Sequence, residues 1–191
     1  MRKILIIAGP SAVGKTTVMT EILSMRPDFE YIRSATTRKP RGDVHDAEYI
    51  YLTKSEFLDN ASNGGMLEYT EYDGNYYGTP SSEIERIFLS GKIPCLVLDI
   101  NGVKSLKDKK QSFDVFAVYL TANTETLEKR LYERAVVGGL SEASIIAYEK
   151  RKEANMRYKK NFSDFSKHFD FVTENITVKE TALKIIKAFE E

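Results

Sequence analysis

Apolar residues fall along this chain in short runs and helical stripes that alternate with one another. Ile4-Leu5-Ile6-Ile7-Ala8 is a continuous branched run, the pattern of a parallel strand buried on both faces. From Thr17 to Met25, Val18, Ile22 and Met25 recur at helical spacing. Phe29 to Ser34 predicts a short strand and Glu48 to Leu52 another. Thr53-Lys54-Ser55-Glu56 has capping-box spacing and opens a helix through about Ala61. Leu67 to Tyr72 alternates, Asp73-Gly74 signals a hairpin turn, and Asn75-Tyr76-Tyr77-Gly78 follows. A helix is expected from Thr79-Pro80, with proline in its first turn and Gly91 as its stop.

The second half repeats the alternation. Ile93 to Ile100 predicts a buried strand with Asp99 at its end, and Val115 to Leu120 predicts the next. An Arg- and Glu-rich helix runs from about Thr124 to Arg134, and Ala135-Val136-Val137-Gly138-Gly139 breaks the pattern. Ser141 caps a long, charged helix, and Phe169 to Thr173 is the last strand. Thr177-Val178-Lys179-Glu180 opens a C-terminal helix with Ala182, Ile185, Ile186 and Phe189 on one face. Strands separated by helices predict an α/β fold with a parallel sheet covered on both faces. The aromatic, strand-rich middle reads as an insertion after the first βα unit. Ligands of such sheets bind at the carboxyl ends of strands, where Gly9, Ser34 and Asp99 lie.

Composition narrows the partners. The 191 residues suffice for one buried core, and 28 Lys plus Arg balance 28 Asp plus Glu. No global field favours nucleic acid or an anionic membrane, so a phosphate ligand must be held by local clusters. The one cysteine, Cys95, sits in an apolar run and reads as a small buried residue; with only His45 and His168 beside it, a Cys/His zinc site is excluded. No apolar run approaches the ~20 residues of a membrane span, and no signal-peptide pattern precedes the first strand. A cytoplasmic protein is expected, as a monomer or homodimer.

Candidate chemistry begins at Gly9-Pro10-Ser11-Ala12-Val13-Gly14-Lys15-Thr16, between the first strand and first helix. That context turns a glycine loop into a phosphate cradle: the turn aims several N–H groups at one anion, and the helix adds its positive end. Lys15 can reach β- and γ-phosphate oxygens, and the Thr16 hydroxyl can ligate Mg²⁺. The loop predicts a bound nucleoside triphosphate; a chance glycine turn would lack the flanking strand and helix. Arg38 and Arg41, in a loop with several cations, could aim two guanidinium forks at one phosphate, although a solvated basic loop gives the same pattern. Tyr49, Tyr76 and Tyr77 supply phenols that either complete a phosphate site or pack on a half-buried sheet. Glu68 is either an exposed strand residue or a carboxylate that accepts from a ring N–H and an exocyclic amine together. Guanine offers that pair and adenine does not.

Taken in order, Ser34-Ala35-Thr36-Thr37-Arg38-Lys39-Pro40-Arg41-Gly42, Glu48-Tyr49, Glu68 and Gly74-Asn75-Tyr76-Tyr77-Gly78-Thr79 resemble guanylate kinase, a nucleoside monophosphate kinase of the P-loop superfamily. With the glycine loop, Asp99-Ile100-Asn101-Gly102 and the approach to Asn175, the resemblance spans most of the chain. It implies a parallel sheet flanked by helices, with core segments at about 1–32, 80–123 and 162–191, a GMP-binding insertion at 33–79 and a helical lid at 124–161. It further implies Mg²⁺-dependent phosphoryl transfer from ATP to GMP, and to dGMP. Gly9 through Thr17 and Asn175 would hold ATP, with Asn175 near the adenine and Thr16 on Mg²⁺. Arg38, Arg41, Tyr49 and Tyr77 would hold the GMP phosphate. Ser34, Glu68 and Thr79 would read the guanine edge, with Asp99 near base and metal. Lys15, Arg38, Arg130 and Arg134 would carry the transferring charge.

Several positions depart from the family pattern. Ala12 replaces a usual glycine, which is tolerated without strain if its φ is negative. The loop after Arg41 is one residue short, with Asp46 where glycine is usual, and Asn101 replaces glutamine. The lid segment reads Glu133-Arg134-Ala135-Val136-Val137-Gly138-Gly139-Leu140, and an expected arginine aligns with Tyr148; Arg151, three residues on, shares its helical face. Two other readings remain open on sequence: a related binding module without catalysis, and a kinase of another small phosphorylated substrate.

Overall fold

The computed structural model describes residues 2–40, 42, 46–47, 49–72, 74–108, 112–137 and 139–191. Strand β1 (Lys3–Ala8) lies at the centre of a five-stranded sheet of order β2-β7-β1-β8-β9, with β2 at Phe29–Tyr31, β7 at Ile93–Val97, β8 at Asp114–Thr121 and β9 at Phe171–Glu174. Every pairing in it is parallel. Ile4 to Ala8 are fully buried, as a run sealed on both faces requires. Leu5, Ile7, Cys95, Val118 and Leu120 face helix α1 (Lys15–Met25) and helix α8 (Val178–Glu190), which contributes Ala182, Ile185 and Phe189. Ile4, Ile6, Leu96 and Ala117 face α3 (Ser81–Leu89) and α4 (Ile100–Lys107) through Ile84, Ile87, Val103 and Leu106. Burial pushes the Cys95 thiol well above its usual range, so it stays a packing group.

The middle of the chain builds a second sheet of order β4-β3-β6-β5 from β3 (Ser34–Thr36), β4 (Tyr49–Tyr51), β5 (Met66–Tyr72) and β6 (Asn75–Pro80). Helix α2 (Lys54–Ser62) covers it, with Thr53 and Glu56 closing the expected capping box. Phe57 packs there against Tyr76, ring centroids 5.5 Å apart. Helix α5 (Thr124–Val137) and helix α6 (Glu142–Lys160) follow β8, and α6 buries none of its residues. A short helix α7 (Phe162–Phe165) leads back to β9. Among the described residues no helix is long and apolar enough to cross a membrane.

Five boundaries differ from expectation, each for a visible reason. Phe29 to Ser34 is two strands: Tyr31 pairs with Cys95 in the core sheet, while Ser34 pairs with Tyr49 in the other. Thr79 and Pro80 finish β6, pairing with Glu68 and Met66, so α3 begins at Ser81 with Pro80 as its N-cap. The strand expected through Ile100 stops at Val97, because the Asp99 carboxylate accepts from the Gly102 N–H at 2.7 Å and caps α4. The helix expected to end at Arg134 continues to Val137, since Leu127, Leu131 and Ala135 form one buried stripe. The last strand starts at Phe171, two residues late, after a 3₁₀ turn over Ser166–His168. Arg41, Glu48 and Asp73, each part of an expected motif, lie outside the described residues.

Candidate active site

The glycine loop joins the carboxyl end of β1 to α1. Gly9 holds φ +148 with the Leu120 carbonyl where a side chain would begin; an added Cβ would lie 2.4 Å from that oxygen. Gly14 caps α1 at φ +98, and a Cβ there would meet the Asn175 amide nitrogen at 2.5 Å. Ala12 sits at φ +64, in the left-handed region, so the alanine that replaces a usual glycine carries real backbone strain. The Val13 side chain is fully buried in the core.

Lys15 curls back over the loop, its Nζ donating to the carbonyls of Gly9 and Pro10, both at 2.9 Å. Burial pulls its pKa down to about 8, opposed by the Asp99 carboxylate and reinforced by the Arg134 guanidinium. A cleft of about 570 Å³ opens beside it, lined by Ser11, Ala12, Gly14, Lys15, Thr16, Thr17, Arg130, Arg134, Asn175 and Val178. Arg130 and Arg134 are one turn apart on α5. The Arg130 Nη1 lies 3.3 Å from the Val13 carbonyl and 3.4 Å from that of Ala12. Neither Tyr148 nor Arg151 lines this cleft. Tyr148 instead packs edge-on against Tyr132.

Asn175, expected near an adenine, lines this cleft and is largely buried, with its amide bonded to the loop. Its Nδ2 donates to the Val13 carbonyl at 2.7 Å, and its Oδ1 accepts from the Thr181 hydroxyl at 3.3 Å. A second asparagine escaped the sequence reading. Asn155 on α6 accepts from the Ser11 N–H at 2.8 Å and donates to the Ser11 carbonyl at 3.0 Å. Because no local pattern marks a residue 144 positions from its partner, only the fold shows this two-point clasp between helix and loop.

A second cleft, about 380 Å³, lies between the two sheets, lined among others by Ser34, Tyr49, Glu68, Tyr77, Asp99 and Asn101. Thus Ser34, Tyr49, Glu68, Tyr77 and Asp99, scattered over 66 positions of sequence, come to one wall. Thr79 does not line it. Its buried hydroxyl donates to Glu68 Oε1 at 2.7 Å and fixes the carboxylate from behind. Arg38 reaches the same region, its guanidinium 5.2 Å from the centre of the Tyr49 ring. Asp99 belongs to this cleft and also acts on Lys15 in the other, so the two clefts adjoin.

Comparison with known proteins follows the same outline. The guanylate kinase family model matches residues 1–191. A guanylate kinase of Prochlorococcus marinus subsp. pastoris is 34% identical over 98% of this chain and 96% of its own length. Those of Lactococcus lactis and Clostridium perfringens are 39% and 35% identical, over 78% and 97% of this chain and 72% and 81% of their own. The crystal structure of guanylate kinase from Anaplasma phagocytophilum superposes with a TM-score of 0.68 at 23% identity, covering 99% of this chain and 85% of that one, a likeness of fold.

Proposed function

The chain belongs to the guanylate kinase family, and on that premise we propose how its residues carry the family's reaction, transfer of the γ-phosphoryl group of ATP to the phosphate of GMP to give ADP and GDP. The observation that carries the assignment is the adjoining pair of clefts: a phosphate loop with Lys15, Arg130 and Arg134 on one side, Ser34, Glu68 and Tyr77 on the other, and Asp99 shared. ATP takes the first cleft, its phosphates on the loop N–H groups and Lys15. GMP takes the second, its phosphate toward Arg38, Arg41, Tyr49 and Tyr77.

Glu68, held by Thr79, offers the double acceptor that a guanine edge requires. Asn175, on the wall of the ATP cleft, and Asn155 hold the loop from its two sides. On this reading 34–80 is the GMP-binding insertion and α5 with α6 forms the lid, while the remainder is core. A cytoplasmic location accords with both substrates.

The attacking phosphate is anionic at neutral pH, so the protein needs no general base. Its work is to align two nucleotides and to match cations to the spreading transition-state charge. Lys15, Arg38, Arg130 and Arg134 supply that positive field. The Thr16 hydroxyl opens α1 beside Lys15 and suits an ion that takes one or two protein oxygens and leaves the rest to phosphates and water. Mg²⁺, when bound, neutralises phosphate oxygens. The intact Lys15 and Thr16 favour turnover over a binding module, and Glu68 with Thr79 favours guanine over other bases.

Lys15→Ala tests the assignment. Loss of about 10²–10³ in kcat is expected, on the scale of one preorganised charge contact. Full activity in that variant would refute the role given to the loop.

A further inference from the structure

Asp46 lies between β3 and β4, and the fold brings a phenol, a backbone amide and a guanidinium to its carboxylate. Tyr51 donates its hydroxyl to Asp46 Oδ1, and the Gly42 N–H donates to Oδ2 at 2.7 Å. Arg38 Nη2 stands 3.5 Å from Oδ1 and 3.4 Å from the Tyr51 hydroxyl. A guanidinium, a phenol and a backbone amide are the donors a phosphate monoester takes, and carboxylate and phosphate are both pure acceptors. Arg38 and Asp46 side chains are only 13% and 19% exposed, so solvent does not erase their attraction. The same Arg38 guanidinium lies near Tyr49 on the wall of the GMP cleft.

We propose that Asp46 is an internal stand-in for the substrate phosphate: in the ligand-free protein it occupies Arg38, and GMP must displace it to bind. This rests on the assignment of Arg38 to the GMP phosphate. A singly charged carboxylate at the seat of an incoming dianion opposes binding twice, by holding the guanidinium and by repelling the newcomer. The apparent affinity for GMP is therefore reduced by the fraction of molecules in which Asp46 is seated. The base-reading side of the cleft, Glu68 and Thr79, is untouched. Asp46 thus sets how much GMP is needed, without affecting which base is chosen or how ATP binds.

The test is Asp46→Asn, which removes the charge and keeps one acceptor oxygen, enough for either the Gly42 N–H or the Tyr51 hydroxyl but not both. Calorimetric titration without ATP should show GMP binding about fivefold tighter than wild type, the weight of one partly screened ion pair. KM for GMP should fall by the same factor and KM for ATP should not move. Guanosine, which has no phosphate, should bind both proteins equally. Asp46→Gly, lacking the side chain altogether, should shift GMP in the same direction.

Weaker GMP binding in both variants would overturn the proposal and make Asp46 a residue that positions Arg38. Unchanged GMP binding, or an equal gain for guanosine, would also overturn it. Failure of wild type and variant alike to bind GMP would refute the assignment of the cleft, and this proposal with it.

Discussion

Replacing Glu83 should lower stability in a pH-dependent way. Glu83 sits on α3 with its carboxylate buried, accepting from Arg33 Nε and Nη2 at 3.0 and 2.9 Å and from Arg86 Nε and Nη2 at 3.0 and 3.2 Å. Arg86 also pairs with Glu30 on β2, and Arg33 immediately precedes Ser34 on β3. The cluster therefore clamps the core to the segment that enters the four-stranded sheet. Hydrogen bonds from Arg33 hold the Glu83 carboxyl down at about 2, against its ordinary 4.5.

That depression corresponds to roughly 3.4 kcal/mol at about 1.36 kcal/mol per tenfold change in proton affinity. Arg33 and Arg86 are 47% and 44% exposed, and solvent screening reduces the figure to about 1–2 kcal/mol. Glu83→Gln should thus lose about 1–2 kcal/mol at pH 7, lowering the melting temperature by roughly 2–8 °C in a chain of this size. Because the folded value is depressed, the stabilisation is complete above 4.5 and is lost as pH falls toward about 2. The gap between wild type and variant should therefore close on acidification, with roughly half gone by pH 3. The chain has no tryptophan, so urea unfolding at pH 7, 5 and 3 would be followed by far-ultraviolet circular dichroism. A gap that stays constant over that range would refute the reasoning.

Three further outcomes are expected. Thr79→Val removes the donor behind Glu68, a bond to a charged group worth about 1.5–3 kcal/mol; kcat/KM for GMP should fall about 10- to 100-fold with KM for ATP unchanged, and an unaltered GMP response in steady-state assays would contradict the arrangement. Lys15 in the free protein loses its charge above about 8, while a bound triphosphate favours the ammonium; calorimetry should therefore find ATP affinity falling past that pH with proton uptake on binding, and a flat profile would be inconsistent. Ala12→Gly relieves a left-handed alanine costing about 1–2 kcal/mol, offset by about 0.4–1 kcal/mol from the freer unfolded chain; thermal unfolding should show net stabilisation of about 0.5–1 kcal/mol, and destabilisation would argue against the strain.

Much of this was legible in the sequence because the signals are local. The Ile4–Ala8 run, the glycine loop and the Thr53 capping box each lie within a few residues, and the fold follows them. The cleft residues Ser34, Tyr49, Glu68 and Tyr77 were identifiable through their resemblance to a family, since nothing in their spacing alone brings them to one wall. What was hidden depends on partners distant in sequence. The switch between sheets after Tyr31 is decided by which strand each half pairs with, Cys95 on one side and Tyr49 on the other. Helix α4 spans eight residues behind an aspartate cap, too short for periodicity to outweigh the apolar run before it. The Asn155 clasp and the Asp46–Tyr51–Arg38 cluster exist only once the fold brings their members together.

The central claim is that one cleft selects guanine and the other delivers a phosphoryl group to it. ADP release measured in a coupled assay with ATP, Mg²⁺ and in turn GMP, dGMP, AMP, CMP and UMP tests both halves at once. The account predicts rapid turnover with the two guanine nucleotides and little with the other three. No ADP release with GMP, or a preference for a base other than guanine, would contradict it.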